Sequence, residues 1–421
     1  MRSQRFVLAV TAGLVAIVCS PIMTTRAAAQ TETVLHSFTG TDGVSPLLNL
    51  VFDSAGNLYG TAGEGGASNN GTVFELSPSG NGNWTEKTLL SFNGGSGGST
   101  PVGGLVIDDA GNLYGTTKLG GANGVGIVFE LSPSNSGSWT ESVLHNFGAG
   151  KDGKFPTNKL TLDSHGNLFG TSEGGGAYGN GTENNGGTAF KVSQKSGGGW
   201  SETVIHSFGH GTDGAVPRAN VVMDSAGNVY GTTVDGGSYG GGTVFEVMPQ
   251  SAGGWKEKVL YSFNTTYNGN NTDGTYPWAG VIFDSNGNLY GTTSFGGADT
   301  GGTVYELSPQ SSGSWSETIL YDFDWLQYDT YPYAGLVFDT AGNLYGVDLG
   351  KIDFPGTYGT VFKLIPQSGT TWVEKQLYTF DGTHGAGAAV GSLIIDSSGN
   401  LYGATQNGGS NKDGVVFRIT P

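Results

Sequence analysis

The side chains that could carry chemistry are few, and most sit at fixed positions of a repeat. The six histidines are His36, His145, His165, His206, His210 and His384. Three of them, His36, His145 and His206, share one repeat position, held elsewhere by Leu90, Tyr261, Tyr321 and Tyr378. A position that accepts Leu or Tyr reads as packing or surface rather than as a general base. The single cysteine, Cys19, lies in an N-terminal leader, so the remaining chain offers no thiol nucleophile and no disulfide. No serine stands in the strand-to-helix elbow of a Gly-x-Ser-x-Gly nucleophile. No Gly-rich run leads into the Gly-Lys-Ser/Thr of a phosphate loop.

Carboxylates are more numerous. Asp53, Asp108, Asp163, Asp224, Asp284, Asp339 and Asp396 each open an Asp-x-x-Gly-Asn turn. Calcium needs six to eight oxygens. One such turn supplies too few, so turn capping is the expected role. Glu86, Glu141, Glu202, Glu257, Glu317 and Glu374 follow a repeated tryptophan and read as solvated strand faces. Glu173 and Glu183, in a long loop, are the least repeat-like acids and the candidates for an enzymatic alternative. No cofactor is expected. Calcium is the one ion with candidates, Asp273 and Asp329 on the same face as the variable loops.

Aromatic residues form the richest patch. The residue after the proline of each first strand is Leu47, Val102, Thr157, Arg218, Trp278 and Tyr333, with Val390 in the seventh copy, which lacks the proline. Tyr267, Tyr276, Trp325, Tyr328 and Tyr331 lie nearby in sequence. Ligand-binding candidates are therefore Trp278, Trp325, Tyr331, Tyr333, Tyr267 and Arg218. Exposed rings beside Asn and Asp suit stacking on sugars or a protein hot spot. The competing reading is that the rings fill a long loop against the rim.

These residues are positioned by a tandem array. The seven turn aspartates are 55, 55, 61, 60, 55 and 57 residues apart, and number the units one to seven. Each turn is followed by Leu-Tyr-Gly-Thr, then Gly-Thr-Val-Phe-Glu-Leu, then Trp-Thr/Ser-Glu and a strand ending in Phe, with variations. In unit two the spacing predicts an inner strand over 101–108, a second over 113–117, a third over 127–131 and a fourth over 139–147, packed through Trp139, Val143 and Phe147. Four short antiparallel strands per unit predict an all-β, seven-bladed β-propeller. Unit seven ends at its third strand, whereas residues 31–38 resemble a fourth strand without the preceding three. The N-terminal strand is therefore expected to complete the last blade and close the ring. Trp84, Trp139, Trp200, Trp255, Trp315 and Trp372 share one packing position, where the seventh copy has Gln30. Loop variation is confined to the second-to-third and fourth-to-first connections, which a propeller places on one face.

Residues 1–29 read as a signal peptide: Arg2 and Arg5, an apolar run from Phe6 to Val18, then Ala27-Ala28-Ala29. Cys19 follows Val18, which argues against a lipoprotein. Residues 30–421 are then one propeller, secreted or periplasmic, and expected to be a monomer. Without Arg2, Arg5 and Arg26, the 18 basic residues fall to 15 against 35 acidic ones, a net charge of −20. Such a surface repels nucleic acids and anionic membranes. No further apolar run spans a membrane.

The units Gly-Asn-Leu-Tyr-Gly-Thr-Thr, Gly-Gly-Thr-Val-Phe-Glu-Leu and Trp-Ser/Thr-Glu resemble the tandem repeats named for Gloeobacter and Verrucomicrobia, over residues 31–421. That resemblance implies an exported repeat protein and carries no activity or catalytic residues with it. A recognition or scaffold role toward carbohydrate or an extracellular protein is the leading expectation. A lyase or hydrolase acting on polysaccharide or peptide, and a purely structural surface protein, are the alternatives.

Overall fold

The computed structural model describes residues 31–46, 49–179, 185–265, 273–324, 331–350, 358–367, 371–388 and 391–420. Glu183, Tyr267, Trp325, Tyr328, Asp329 and the leader lie outside them. The fold is all-β, built of many small antiparallel sheets. Among the described residues no helix is long and apolar enough to cross a membrane.

Unit two shows the pattern. Val106–Ile107, Leu113–Thr117, Ile127–Pro133 and Trp139–Asn146 pair antiparallel in that order. The first strand is far shorter than the expected 101–108. Upstream of it the chain passes Thr116 so closely that a Cβ on Gly103 would lie 2.3 Å from the Thr116 hydroxyl. The Gly103 carbonyl is taken instead by the Thr61 hydroxyl of the preceding unit, at 3.0 Å. A side-chain bond between units thus replaces the ladder within one.

The turn aspartate is a cap. Asp108 Oδ1 accepts the N–H groups of Ala110 (2.9 Å) and Asn112 (2.8 Å). Its Oδ2 accepts the Asn112 amide (2.9 Å) and the Tyr114 hydroxyl (3.0 Å). Desolvation alone would raise the Asp108 pKa, but the Asn112 bonds and the others outweigh it and hold the carboxyl below its ordinary range. In unit three, Phe169 replaces the tyrosine, and Asp163 keeps only the backbone and Asn167 bonds.

Units are joined by rings. The phenylalanine closing each fourth strand meets the third-strand aromatic of the next unit at 4.8–5.3 Å: Phe92–Phe129, Phe147–Phe190, Phe208–Phe245, Phe263–Tyr305, Phe323–Phe362 and Phe380–Phe417. The same contact joins the last unit to the first, as Phe38–Phe74 at 5.1 Å. Burying each phenylalanine is worth about 1.5–3 kcal/mol. The tip of the third-strand ring abuts the glycine of Leu-Tyr-Gly or Val-Tyr-Gly. A Cβ on Gly231 would sit 2.6 Å from Phe245 Cζ, which explains the glycine.

Thr31–Ser37 pairs antiparallel with Val415–Thr420, Thr31 opposite Thr420 and Ser37 opposite Val415. Seven core clusters each draw on two consecutive units, one of them combining Leu35, Phe38 and Val416 with Leu58 and Phe74. The repeated tryptophan packs edge-on against the tyrosine or phenylalanine after the turn of the preceding unit, as in Trp139–Tyr59 (6.2 Å) and Trp255–Phe169 (6.1 Å). Val143, expected in the core, is 39 % exposed, whereas Leu144 is buried. A bulge between Val143 and His145 shifts the register and exchanges their faces.

Candidate functional site, the loop-bearing rim

Residues just ahead of the short first strands of several units come together. Asn49, Lys159, Asn220, Gly335 and Ser392, from five units, line one cavity of about 30 Å³ together with Asn158, Arg218 and Trp278. That is room for about one water. Burial holds the Lys159 ammonium below its usual pKa range.

On the loop-bearing side the repeat code breaks into charge and aromatic surface. Glu173, at the end of the second strand of unit three, is 3 % exposed. It accepts the Thr157 hydroxyl at 3.0 Å. It also faces Arg218 Nε at 3.5 Å and Lys118 Nζ at 3.8 Å. Arg218 in turn lies over the Trp278 ring, 4.4 Å from its centroid. Trp278 meets Tyr333 at 5.1 Å, Tyr333 meets Tyr331 at 6.2 Å, and Tyr331 meets Phe295 at 4.8 Å. The line crosses five units. Beside it, Val216, Arg218, Val234, Asp235, Tyr276, Trp278 and Phe295 enclose a cavity of about 320 Å³.

Four of the six candidate binding residues are thus brought together: Arg218, Trp278, Tyr331 and Tyr333. The rings are not bare planes, as the sequence suggested. They are half-buried, mostly edge to face, and one face of Trp278 carries the guanidinium. Glu173 is an ionic anchor for Arg218 and Lys118. Asp235 faces the cavity and its carboxyl is pushed up by burial, with Arg218 opposing. Two aromatics passed over in the sequence are more exposed than any of these, Tyr178 at 52 % and Tyr239 at 62 %. Tyr178 stacks on His210 at 4.8 Å. Their signal was a tyrosine inside a Gly-rich second-to-third loop, in Ala-Tyr-Gly and Ser-Tyr-Gly.

Two further expectations need correction. His36, His145 and His206 are not packing residues alone: their Nε2 atoms lie 3.0, 2.9 and 2.9 Å from Asp42, Asp152 and Asp213. Nor do the post-tryptophan glutamates lie on solvated faces. Glu202 and Glu257 are half-buried between units, and desolvation raises each to about 7, with Asp152 or Asp213 adding to the rise. In unit five the Asp273 and Glu317 carboxyls face each other, and burial raises both above their ordinary range. The Tyr261 hydroxyl donates to Glu317 at 2.9 Å. The period-based reading missed all three because the fourth strands of neighbouring units face each other only in the folded chain.

No curated protein matches the sequence. Among solved structures, a puromycin-hydrolyzing peptidase of Mycobacterium tuberculosis is 12% identical, with a TM-score of 0.48 over 88% of this chain. This chain spans about half of that peptidase, 52% of its length. A protein of unknown function from Dyadobacter fermentans is 11% identical, with a TM-score of 0.41, covering 82% of this chain and 98% of its own. A PL25 polysaccharide lyase, an ulvan lyase, is 12% identical, with a TM-score of 0.49, covering 90% and 94%. These are distant likenesses. The sequence repeat is the firmer finding: residues 20–183, 180–351 and 261–421 each match the Gloeobacter/Verrucomicrobia repeat, and the chain belongs to that family.

Proposed function

We propose that the chain is an exported, monomeric recognition module, a seven-bladed propeller closed by its N-terminal strand, that binds carbohydrate at its loop-bearing rim. The ring is supported by the pairing of Thr31–Ser37 with Val415–Thr420 and by the seven inter-unit aromatic contacts, last to first included. The observation that carries the binding role is the line Glu173–Arg218–Trp278–Tyr333 beside a 320 Å³ cavity. Apolar walls with a few convergent polar groups suit a sugar ring: Trp278, Tyr276 and Phe295 take its C–H faces, and Arg218 and Asp235 its hydroxyls. Glu173 fixes the guanidinium, so part of the ordering cost is met before a ligand arrives.

The test is retention of residues 30–421 on a panel of insoluble polysaccharides, with Trp278→Ala, Arg218→Ala and, as a rim control, Val102→Ala. Retention by the wild type and V102A, with at least about tenfold weakening in W278A at unchanged melting temperature and in R218A under conditions where it stays folded, supports the site. Retention that survives both variants removes it. Release of soluble sugar into the supernatant would replace binding by catalysis and make Glu173 and Asp235 the next targets.

A further inference from the structure

The outer edges of neighbouring units hold a second constellation with no place in the rim chemistry. Among the described residues three groups bring a histidine, an aspartate and a glutamate together: His36, Asp42 and Glu86; His145, Asp152 and Glu202; His206, Asp213 and Glu257. In each, the ligand-type atoms lie within 4.8 Å of one another. The histidine comes from the fourth strand of one unit, the aspartate from the loop that follows it, and the glutamate from the fourth strand of the next unit.

The glutamate position has a problem that recurs in five units, whereas Glu86 of the first group differs in that its Oε1 accepts the Thr88 hydroxyl at 2.9 Å. One carboxylate oxygen of Glu32, Glu141, Glu202, Glu257 and Glu317 is buried without a hydrogen-bond partner. In the third group Asp213 Oδ1 is in the same state. Unpartnered buried carboxylate oxygens are costly, and two remedies exist: a proton or a cation. What faces the glutamate differs from unit to unit. Where Tyr261 replaces the histidine, the phenol donates to Glu317, and the Asp273 and Glu317 carboxyls face each other. Where Leu90 replaces it, Glu141 has no imidazole opposite. In the three histidine groups an imidazole nitrogen and two carboxylates converge.

We propose that these three groups are sites for a divalent transition ion of the zinc type, one at each of three seams between units. One imidazole with two carboxylates suits zinc, with water as the fourth ligand, whereas calcium prefers oxygens alone. Ligand atoms around tetrahedral zinc are about 3.3 Å apart, so each group needs only a side-chain adjustment. The ion would bond His Nε2 in place of its proton and one oxygen each of the aspartate and glutamate. It would thereby tie consecutive units together.

The histidine-to-tyrosine exchange occurs naturally in three other units, so His36→Tyr, His145→Tyr and His206→Tyr are tests that preserve packing. Untagged protein is stripped with EDTA, dialysed against micromolar Zn²⁺ and analysed for bound metal. The wild type should retain about three equivalents, each single variant one fewer, and the triple variant none of the three. Glu202→Gln, which keeps the side-chain size, should also lose one. Co²⁺ in place of zinc should give visible absorption bands that fall in step with the variants, and Zn²⁺ should raise the melting temperature of the wild type but not of the triple variant. Absence of retained metal in the wild type overturns the proposal. So does a metal content unchanged in the triple variant, which would place the ion on exposed groups such as His384 and Asp381.

Discussion

Asp348 is a carboxyl where five of the other six units place a hydroxyl and unit one places Ala62. At the same position Ser172, Thr233 and Thr293 bond the third-strand threonines Thr188, Thr243 and Thr303 at 2.8–2.9 Å. Asp348 is 3 % exposed and accepts the Thr360 hydroxyl, the Thr360 N–H (3.1 Å) and the Gly350 N–H (3.0 Å). Burial nonetheless raises its pKa from 3.8 to about 7, against those three bonds and with Glu374 adding to the rise. Below pH 3.8 the folded and unfolded states both hold the proton. Between 3.8 and about 7 only the folded state does, so stability falls as pH rises through that window, and the loss is complete above it. Each pH decade is worth 1.36 kcal/mol, giving a ceiling of about 4 kcal/mol, of which relaxation around the charge leaves about 2. Asp348→Thr should therefore stabilise the protein by about 2 kcal/mol at pH 8 and change it little at pH 4. Urea unfolding of wild type and variant at both values reads the difference, with melting temperature as a second probe expected to shift by about 2 °C at pH 8. An equal gain at the two pH values would refute the reasoning, because the effect would then be packing and not ionisation.

Three other outcomes are expected. Gly231→Ala places a methyl 2.6 Å from Phe245 Cζ and should cost about 1–3 kcal/mol in denaturant unfolding. Asp108→Ala removes four hydrogen bonds at one turn and should lower stability by about 2 kcal/mol at neutral pH. Because the Asp108 pKa is depressed, its contribution exists above pH 3.8 and is lost as the pH falls further, so the gap to wild type should narrow in acid. Deleting residues 31–38 leaves the Val415–Thr420 edge unpaired and takes Phe38 off Phe74, so light scattering should show association that an added peptide of residues 31–38 reverses.

Much of the architecture was legible because it is local and periodic. The aspartate cap acts within six residues of itself, and the strand beginning at residue 31, read as an unaccompanied fourth strand, pairs with Val415–Thr420. The first strands were misjudged because their apolar run looks like a ladder strand, yet the Gly103 carbonyl bonds a side chain of another unit. Val143 and Leu144 exchanged faces at a bulge that alternation cannot register. At the candidate site, the sequence pointed to Arg218, Trp278, Tyr331 and Tyr333 as departures from the repeat. It could not reveal that Glu173 holds Arg218, or that the guanidinium covers Trp278, since those partners are about 45 and 60 residues apart. The histidine groups were hidden for the same reason. Substitution by tyrosine made the position look permissive, yet the Tyr261 phenol donates to Glu317, the glutamate of the next unit.

The pairing of the two ends has a mechanical consequence. Thr31 lies opposite Thr420, so both ends of the described chain leave from the same end of the seam. A force applied between them would load the backbone hydrogen bonds one after another, as in opening a zipper, instead of sharing the load across all of them in shear. The seam would therefore yield at low force, and a molecule pulled from both ends would unroll from this seam. Held by one end alone, it would carry no load there.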